Sequence, residues 1–406
     1  MACFICNNTS LIKFLDLGDQ PPSDAFLRQA DLDKPEVRYP LALHLCEECG
    51  LVQLGCVVDP DLLFKDYVYT TGTNNSLLEN FKSLVKNLVS RFNVKEGDLV
   101  VDVGSNDGTL LSQYAPYTKN ILGVDPSSAA LLAEKRGIRT IHDFFTEAVA
   151  VSIKEKHGAA KVITATNVFA HVAELNSFMR GITLLLSEDG VFVSESGYLL
   201  DMVETLGYDA VYHEHLRYYS LRPLIRLFET FGMEITHVER IPSHSGSIRV
   251  YAARKGTQKT SPSVAELLAL EQEKGLYAKE TFIRFAKLVF AHRTALLKLL
   301  AESKKSGKVV GIGAPAKGNT LLNFCGITRT IVESILEKSE LKIGLYTPGT
   351  HIPVVSEETL FSLRPDYALI LSWNLCEELI KKLCEKGYRG AFIIPFPTPR
   401  LITEPV

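Results

Sequence analysis

The sequence predicts an α/β chain built from three units, and three observations predict it. Two Cys-x-x-Cys pairs fall inside the first 49 residues, short buried strands alternate with helices from about residue 97, and the same alternation resumes after residue 308. The units are expected at 1–66, a small metal module; 67–260, a sheet with helices on both faces; and 261–406, a helical linker plus a smaller α/β unit. At about 150 residues per domain, 406 residues agree with two or three such units. With 46% hydrophobic and 22% charged residues the composition is that of a globular protein, which excludes wholesale disorder.

Cys3-x-x-Cys6 and Cys46-x-x-Cys49 are separated by 39 residues. Two such knuckles place four thiolates tetrahedrally around one Zn²⁺ with no coordination position left for chemistry, so the zinc is expected to be structural. Metal binding supplies folding energy that so small a module cannot draw from its own core. Gly50 suits the tight turn of the second knuckle. Chance pairing of buried thiols is the alternative; Cys56 and His44 are spare, and His44 could displace a thiolate. Eight cysteines, five of them before residue 57, are too few and too clustered for a disulfide framework.

A polar connector over 67–76 leads into an amphipathic helix with Leu77, Leu78, Phe81, Leu84, Val85 and Leu88 on one face. Buried strands follow at 99–103, 121–124, 161–165 and 191–195, with helices between them, which argues for a parallel sheet. A helix at 221–231 then runs into strands at 233–238 and 247–253. A short turn between neighbouring strands requires antiparallel pairing, so the sheet is expected to end in a reversed edge strand. Long helices are expected over 262–305, then strands at 309–312, 331–336, 367–371 and 391–394.

After the first strand comes a loop carrying Asp102, Gly104, Asn106 and Gly108. Its glycines are expected to let a ligand approach the backbone at the following helix. Their spacing is not that of the dinucleotide fingerprint. Asp125 ends the next strand, 21 residues after Gly104, where a carboxylate can accept both hydroxyls of a ribose. With the strand–helix rhythm and the antiparallel last strand, this segment resembles the class I S-adenosylmethionine methyltransferase fold. The alternative is a ligand-free turn with Asp125 capping a helix. Asp143, Phe144 and Asn167 complete the candidate cofactor contacts.

Tyr212-His213-Glu214-His215 lies between the fourth strand and helix 221–231, at the carboxyl edge of the sheet where open α/β folds bind ligands. In extended chain, His213 and His215 point away from Tyr212 and Glu214. An imidazole held by a carboxylate is suited to removing a moderately acidic proton. A metal site on His213 and His215, or a hydrogen-bonded structural cluster, are the competing readings.

Several classes are excluded. The net charge of −3 lacks the basic excess of a phosphate-backbone reader, so no nucleic acid is expected as partner. The segment 166–171 carries neither the Asn/Asp-Pro-Pro-Tyr pattern of base-amine methylation nor a Pro-Cys nucleophile. No apolar run reaches about 18 residues, so no membrane partner is expected. The N-terminus lacks the basic and apolar regions of a signal peptide, and a cytoplasmic location is expected.

Taken together, the knuckles, Tyr67 and Tyr69 in the connector, Asn167 to His171, Tyr212 to His215, and the blocks 244–251, 313–320 and 348–353 resemble the sugar C-methyltransferases acting on nucleotide-linked 4-ketohexoses. The likeness covers nearly the whole chain. Ser245 departs from it, since glycine is commoner there, as does 337–342. The resemblance implies S-adenosylmethionine as cofactor and a nucleotide-sugar substrate. It implies that a base removes the C3 proton next to the 4-keto group and that the resulting enolate carbon takes the methyl. His215 is the expected base, with Glu214 positioning it or the sugar, Tyr212 and His171 as donors to the enolate oxygen, and Tyr67 or Tyr69 closing over the site. Ser247, Arg249 and Lys317 are candidates for the diphosphate, with Asn319, Tyr346 and His351 on the same side. Other acceptors, such as a sugar hydroxyl or amine, and a non-catalytic role for the zinc module stay open. So does the alternative of Gly311 and Gly313 as a dinucleotide loop.

Overall fold

The computed structural model describes residues 1–64 and 75–403. Tyr67 and Tyr69 lie outside them. Where strands are buried on both faces the sequence is a nearly continuous apolar run, and these runs fold as expected: Leu99–Val103, interrupted by Asp102 alone, and Ile121–Val124, Val309–Ile312 and Ala391–Ile394.

The central sheet has seven strands in the order Met233–Ile241, Ser247–Arg254, Leu186–Gly197, Ala160–Thr166, Leu99–Val103, Ile121–Val124, Thr140–Ile141. Only Ser247–Arg254 runs against the others. The reversed strand is therefore the second from the edge, and the outermost is Met233–Ile241. The hairpin fixes that these two pair; which of them meets the sheet is decided by side chains, because Arg249 pairs across the ladder with both Glu195 and Glu239. Strand order reverses at Leu99–Val103, so the crevice between it and Ala160–Thr166 opens at the carboxyl ends, where ligands bind.

Helix Asn75–Phe92 covers one face, with Leu77, Phe81, Leu84, Val85 and Leu88 buried at helical spacing. Each contributes roughly 2 kcal/mol of apolar burial. The linker is two helices, Pro262–Glu273 and Lys279–Ser306.

The last sheet has the order Val354–Ser356, Ile335–Glu337, Val309–Ile312, Tyr367–Ile370, Ala391–Ile394, Arg400–Ile402, parallel except for the final strand. The N-terminal sheet has the order Leu11–Gln20, Tyr39–Cys46, Val52–Leu54, Arg217–Tyr218. Its fourth strand comes from the chain just after His215, so the metal module and the central segment share a sheet. One apolar core runs through all three units, and Phe14 packs on Phe282 at 4.9 Å between ring centroids.

Candidate active site

The knuckles come first because they are the most local. The Sγ atoms of Cys3, Cys6, Cys46 and Cys49 lie within 4.8 Å of one another, with Cys3–Cys49 and Cys6–Cys46 at 3.5 Å. A disulfide would need about 2.05 Å. Tetrahedral Zn²⁺ with bonds of about 2.3 Å needs sulfurs about 3.8 Å apart, so the donor set fits zinc. Each knuckle closes through a residue of positive φ, Asn7 at 59° donating to the Cys3 carbonyl and Gly50 at 81° donating to that of Cys46. His44 and Cys56 stay outside the cluster, and among the described residues no other group of His, Cys, Asp or Glu could hold a metal. The His213/His215 metal reading loses its ligands.

Along the carboxyl edge, Asp102 is buried and takes a 2.5 Å hydrogen bond from Thr164. Burial pushes its carboxyl up to about 7. Asp125 accepts from the Asn106 N–H at 2.8 Å and from the Ser127 N–H and hydroxyl at 2.8 and 2.5 Å, so the carboxylate itself shapes the loop. Gly104 (φ 69°) and Gly108 (φ 75°) are required by the packing of the protein itself. A Cβ on Gly104 would stand 2.1 Å from Val168 Cγ2, and one on Gly108 2.6 Å from Ile138 Cδ1. These side chains pack directly against the loop. Asn167 (φ 56°) ends Ala160–Thr166 and donates its N–H to the Glu195 carbonyl at 2.7 Å. Asp143 is exposed and accepts from the Phe144 N–H at 2.7 Å, past the end of Thr140–Ile141.

Residues 212–215 form a turn, closed by the His215 N–H donating to the Tyr212 carbonyl at 3.0 Å. Tyr212 and His215 therefore meet on one side, their rings 4.0 Å apart, and the alternation expected of extended chain does not hold. His171 stacks on His215 at 5.0 Å, and Phe64 on His171 at 5.6 Å. Tyr218 stands edge-on to His215 at 6.2 Å. Burial, with His215 adding to it, pushes His171 well below the usual imidazole range, so it is neutral.

His215 Nδ1 lies 2.9 Å from the Ala210 carbonyl. A carbonyl only accepts, so Nδ1 carries the proton and Nε2 the lone pair. What orients His215 is thus a backbone oxygen, not Glu214. Glu214 is buried with Oε2 lacking a hydrogen-bond partner, and burial, then Asp24, pushes its carboxyl up to about 8 against the pull of Lys342. At neutral pH it is an acid with a proton to donate. His213 turns the other way and contacts the Tyr39 carbonyl at 3.2 Å, where burial holds the ring below the usual range.

Residues 3–64 match a family described as "Putative zinc binding domain", residues 77–238 a "Methyltransferase domain" and residues 242–397 a "C-methyltransferase C-terminal domain". C-methyltransferase NovU of Streptomyces niveus is 34% identical over 407 residues, covering 99% of this chain and 96% of that one. The chain belongs to the C-methyltransferase family. It is an enzyme dependent on S-adenosylmethionine, with a structural zinc. Among solved structures, magnesium protoporphyrin IX methyltransferase (ChlM) from Synechocystis aligns at 14% identity and TM-score 0.33, over 44% of this chain and 79% of its own. An S-adenosylmethionine-dependent methyltransferase from Clostridium acetobutylicum aligns at 13% and 0.35, over 44% and 92%.

The C-methyltransferase has acceptors that fit its cofactor. Asp102 and Asp125 end neighbouring strands, where carboxylates suit an ammonium and ribose hydroxyls, and the buried Ser105 hydroxyl beside them has no hydrogen-bond partner. An ammonium near Asp102 would also hold that carboxyl ionised.

The candidates for the diphosphate divide sharply. Arg249 is buried and already balanced, at 2.8 Å from Glu195 and 3.1 Å from Glu239, with a 2.6 Å bond to Asn80. Its guanidinium thus bridges neighbouring strands of the sheet. Ser247 bonds the Ser243 carbonyl at 3.0 Å. Asn319 donates to the Ser23 carbonyl at 2.7 Å, His351 pairs with Glu36 at 2.6 Å, and Tyr346 bonds Gln29, so these three clasp the metal module. Lys317 lies 4.5 Å over the Trp373 ring and 2.5 Å from Asn374, beside the glycine-bounded loop. Its neighbour Ala314 donates to Glu337 at 2.6 Å, repeating in the smaller sheet the bond of Asn106 to Asp125. Among the described residues, no helix is long and apolar enough to cross a membrane.

The sequence did not point to Phe64, Tyr218, Glu195 or the Ala210 carbonyl. A glutamate ending a buried strand was a usable signal for Glu195; a backbone oxygen leaves none.

Proposed function

We propose that this C-methyltransferase acts on a nucleotide-linked 4-keto-deoxyhexose, removing the proton on C3 and transferring the methyl to that carbon. The observation that carries this reading is the bond from His215 Nδ1 to the Ala210 carbonyl, which fixes Nε2 as the basic nitrogen of a ring bracketed by Tyr212 and His171.

The proton α to a ketone is too weakly acidic for an unaided imidazole. Donors aimed at the developing enolate oxygen must supply several kcal/mol. Tyr212 brings a phenol and Glu214 a carboxyl kept protonated by burial. His171, neutral, contributes an N–H without adding a second cation beside the His215 imidazolium that forms. S-adenosylmethionine supplies, when bound, an electrophilic methyl on its sulfonium. His215 takes the C3 proton, and the enolate carbon would accept the methyl as its bond to sulfur breaks, releasing S-adenosylhomocysteine while the ketone re-forms and the proton passes from His215 to solvent. Lys317, a cation beside the loop of the smaller sheet, is the candidate for the diphosphate.

Incubation with a nucleotide 4-keto-6-deoxyhexose in D₂O tests the scheme. Exchange of the C3 proton without methyl transfer, when S-adenosylhomocysteine replaces the donor, is the expected result. A methylated product that keeps its C3 hydrogen would overturn it and favour a hydroxyl or amine acceptor.

A further inference from the structure

Arg217 lies two residues after His215, on the strand that pairs with Val52 and Gln53 of the metal module. It is among the largest fully buried side chains of the molecule. Its guanidinium rests on the Phe4 ring at 4.4 Å, inside the first knuckle, and donates to the carbonyls of Val172 at 2.5 Å and Ala173 at 3.4 Å. These carbonyls directly follow His171. Among the described residues no carboxylate lies within 4.0 Å of it.

A guanidinium keeps its charge when buried, and an unbalanced buried charge costs several kcal/mol. Four thiolates on Zn²⁺ would carry a net charge of about −2, a larger balance than the single carboxylate of Glu174 whose field also reaches Arg217. Burial works against the charged guanidinium, and Tyr219 first, then the fields of Cys3 and Glu174, work for it.

The surrounding contacts point the same way. Gln53, the cross-strand partner of Arg217, accepts the Phe4 N–H at 3.0 Å and donates to the Ala2 carbonyl at 3.2 Å, gripping the knuckle on which Arg217 lies. Arg222 and Arg226, a turn apart on helix Leu221–Thr230, reach Glu48 of the second knuckle at 3.3 Å and 2.5 Å. On the other side, the Leu216 N–H bonds the Ala170 carbonyl at 3.0 Å, and the Leu54 N–H bonds the Leu216 carbonyl at 3.0 Å. A continuous ladder thus joins the metal module to the residues flanking His171 and His215.

We propose that Arg217 is a positioning residue that takes the zinc tetrathiolate as its counter-charge and so holds the His171 loop and the His215 turn in register. The zinc then governs the catalytic rings at a distance while taking no part in the chemistry. Only the description of His171 and His215 as catalytic rests on the function proposed above; the effects on metal retention and backbone protection do not.

The test compares the zinc-loaded full chain with Arg217→Met and Arg217→Lys, measuring zinc affinity against a chromophoric chelator and amide exchange over 170–173 and 214–218. Arg217→Met is expected to weaken zinc binding about tenfold or more and to speed exchange in both segments by a similar factor, as loss of an outer-shell partner does. Arg217→Lys, keeping the charge without the fork, is expected to hold zinc within about threefold while exchange at 172–173 rises. Unchanged zinc affinity in Arg217→Met, or an equal loss in Arg217→Lys, overturns the proposal. Should Arg217→Met not fold, chelating zinc from the wild-type chain decides: exchange over 170–173 must rise, and unchanged protection there refutes the coupling. Full activity of His215→Asn alongside these effects would defeat the proton-abstraction scheme alone.

Discussion

His215 and Ala210 are joined by a 2.9 Å contact from ring nitrogen to backbone oxygen, and that contact fixes which nitrogen can act as a base. The same carbonyl lies 3.5 Å from the Tyr218 hydroxyl. It belongs to the short helical turn Tyr208–Ala210, which the last unit grips: Trp373 donates to Asp209 at 2.6 Å and Thr320 to the Val211 carbonyl at 2.9 Å. The ring's orientation is thus built from three parts of the chain.

His215→Asn is the sharpest probe of this arrangement. The asparagine amide can keep the donor that meets Ala210 while removing the nitrogen proposed to take the proton. We expect kcat to fall by about 10²–10⁴-fold, the range of general-base catalysis, with circular dichroism and zinc content unchanged. C3 deuterium exchange should fall in parallel. Retained exchange would move the base elsewhere.

Glu214 makes the pH dependence specific. Its carboxyl is raised to about 8 by burial first, from the ordinary 4.5 of a glutamate. Between these values the unfolded chain is ionised while the folded one is not, so stability is greatest below the lower value and is lost as pH rises toward the upper one. Glu214→Gln should remove that loss, so its advantage in urea unfolding grows from about pH 5 to pH 8. If the protonated carboxyl is the enolate donor, kcat/KM of the wild-type enzyme should fall about tenfold per unit above pH 8, and the amide variant should flatten that limb. A limb unchanged in Glu214→Gln would assign it to another group.

The sequence shows clearly what depends on local pattern. Cys3, Cys6, Cys46 and Cys49 are legible because chelation constrains spacing, and strands such as Val309–Ile312 because burial on both faces leaves no polar residue to interrupt them. Tyr212, His171 and His215, grouped by their place at the sheet's edge, do lie together in the fold. Their mutual geometry was not legible, since it depends on a turn where an extended chain was expected. The surroundings of Arg249 were not legible for a related reason. An arginine suits a phosphate and a carboxylate equally well, and only the strand order puts Glu195 and Glu239 beside it.

Arg249→Met would therefore act on the fold more than on substrate affinity. Glu195 would be left buried without its counter-charge, at a cost of about 3–5 kcal/mol in urea unfolding. Lys317→Met should do the reverse, raising KM for the nucleotide sugar about tenfold or more through loss of a charged hydrogen bond, with little change in stability. An Arg249→Met enzyme as stable as wild type but with a raised KM would restore the arginine to the diphosphate.

Gly104 and Val168 offer a test of how the cofactor loop is packed. At φ 69° an alanine is strained, and its Cβ would stand 2.1 Å from Val168 Cγ2. The backbone term is about 1–2 kcal/mol and the overpacking another 1–3, so Gly104→Ala should lose about 2–5 kcal/mol and bind S-adenosylmethionine more weakly. Val168→Ala removes the colliding methyls but not the backbone strain. The double variant should therefore recover the overpacking share, leaving about 1–2 kcal/mol, and calorimetric titration should show part of the affinity returning. If the double variant is no more stable than Gly104→Ala, then Val168 is not what the glycine accommodates, and the open face of Gly104 belongs to the ligand after all.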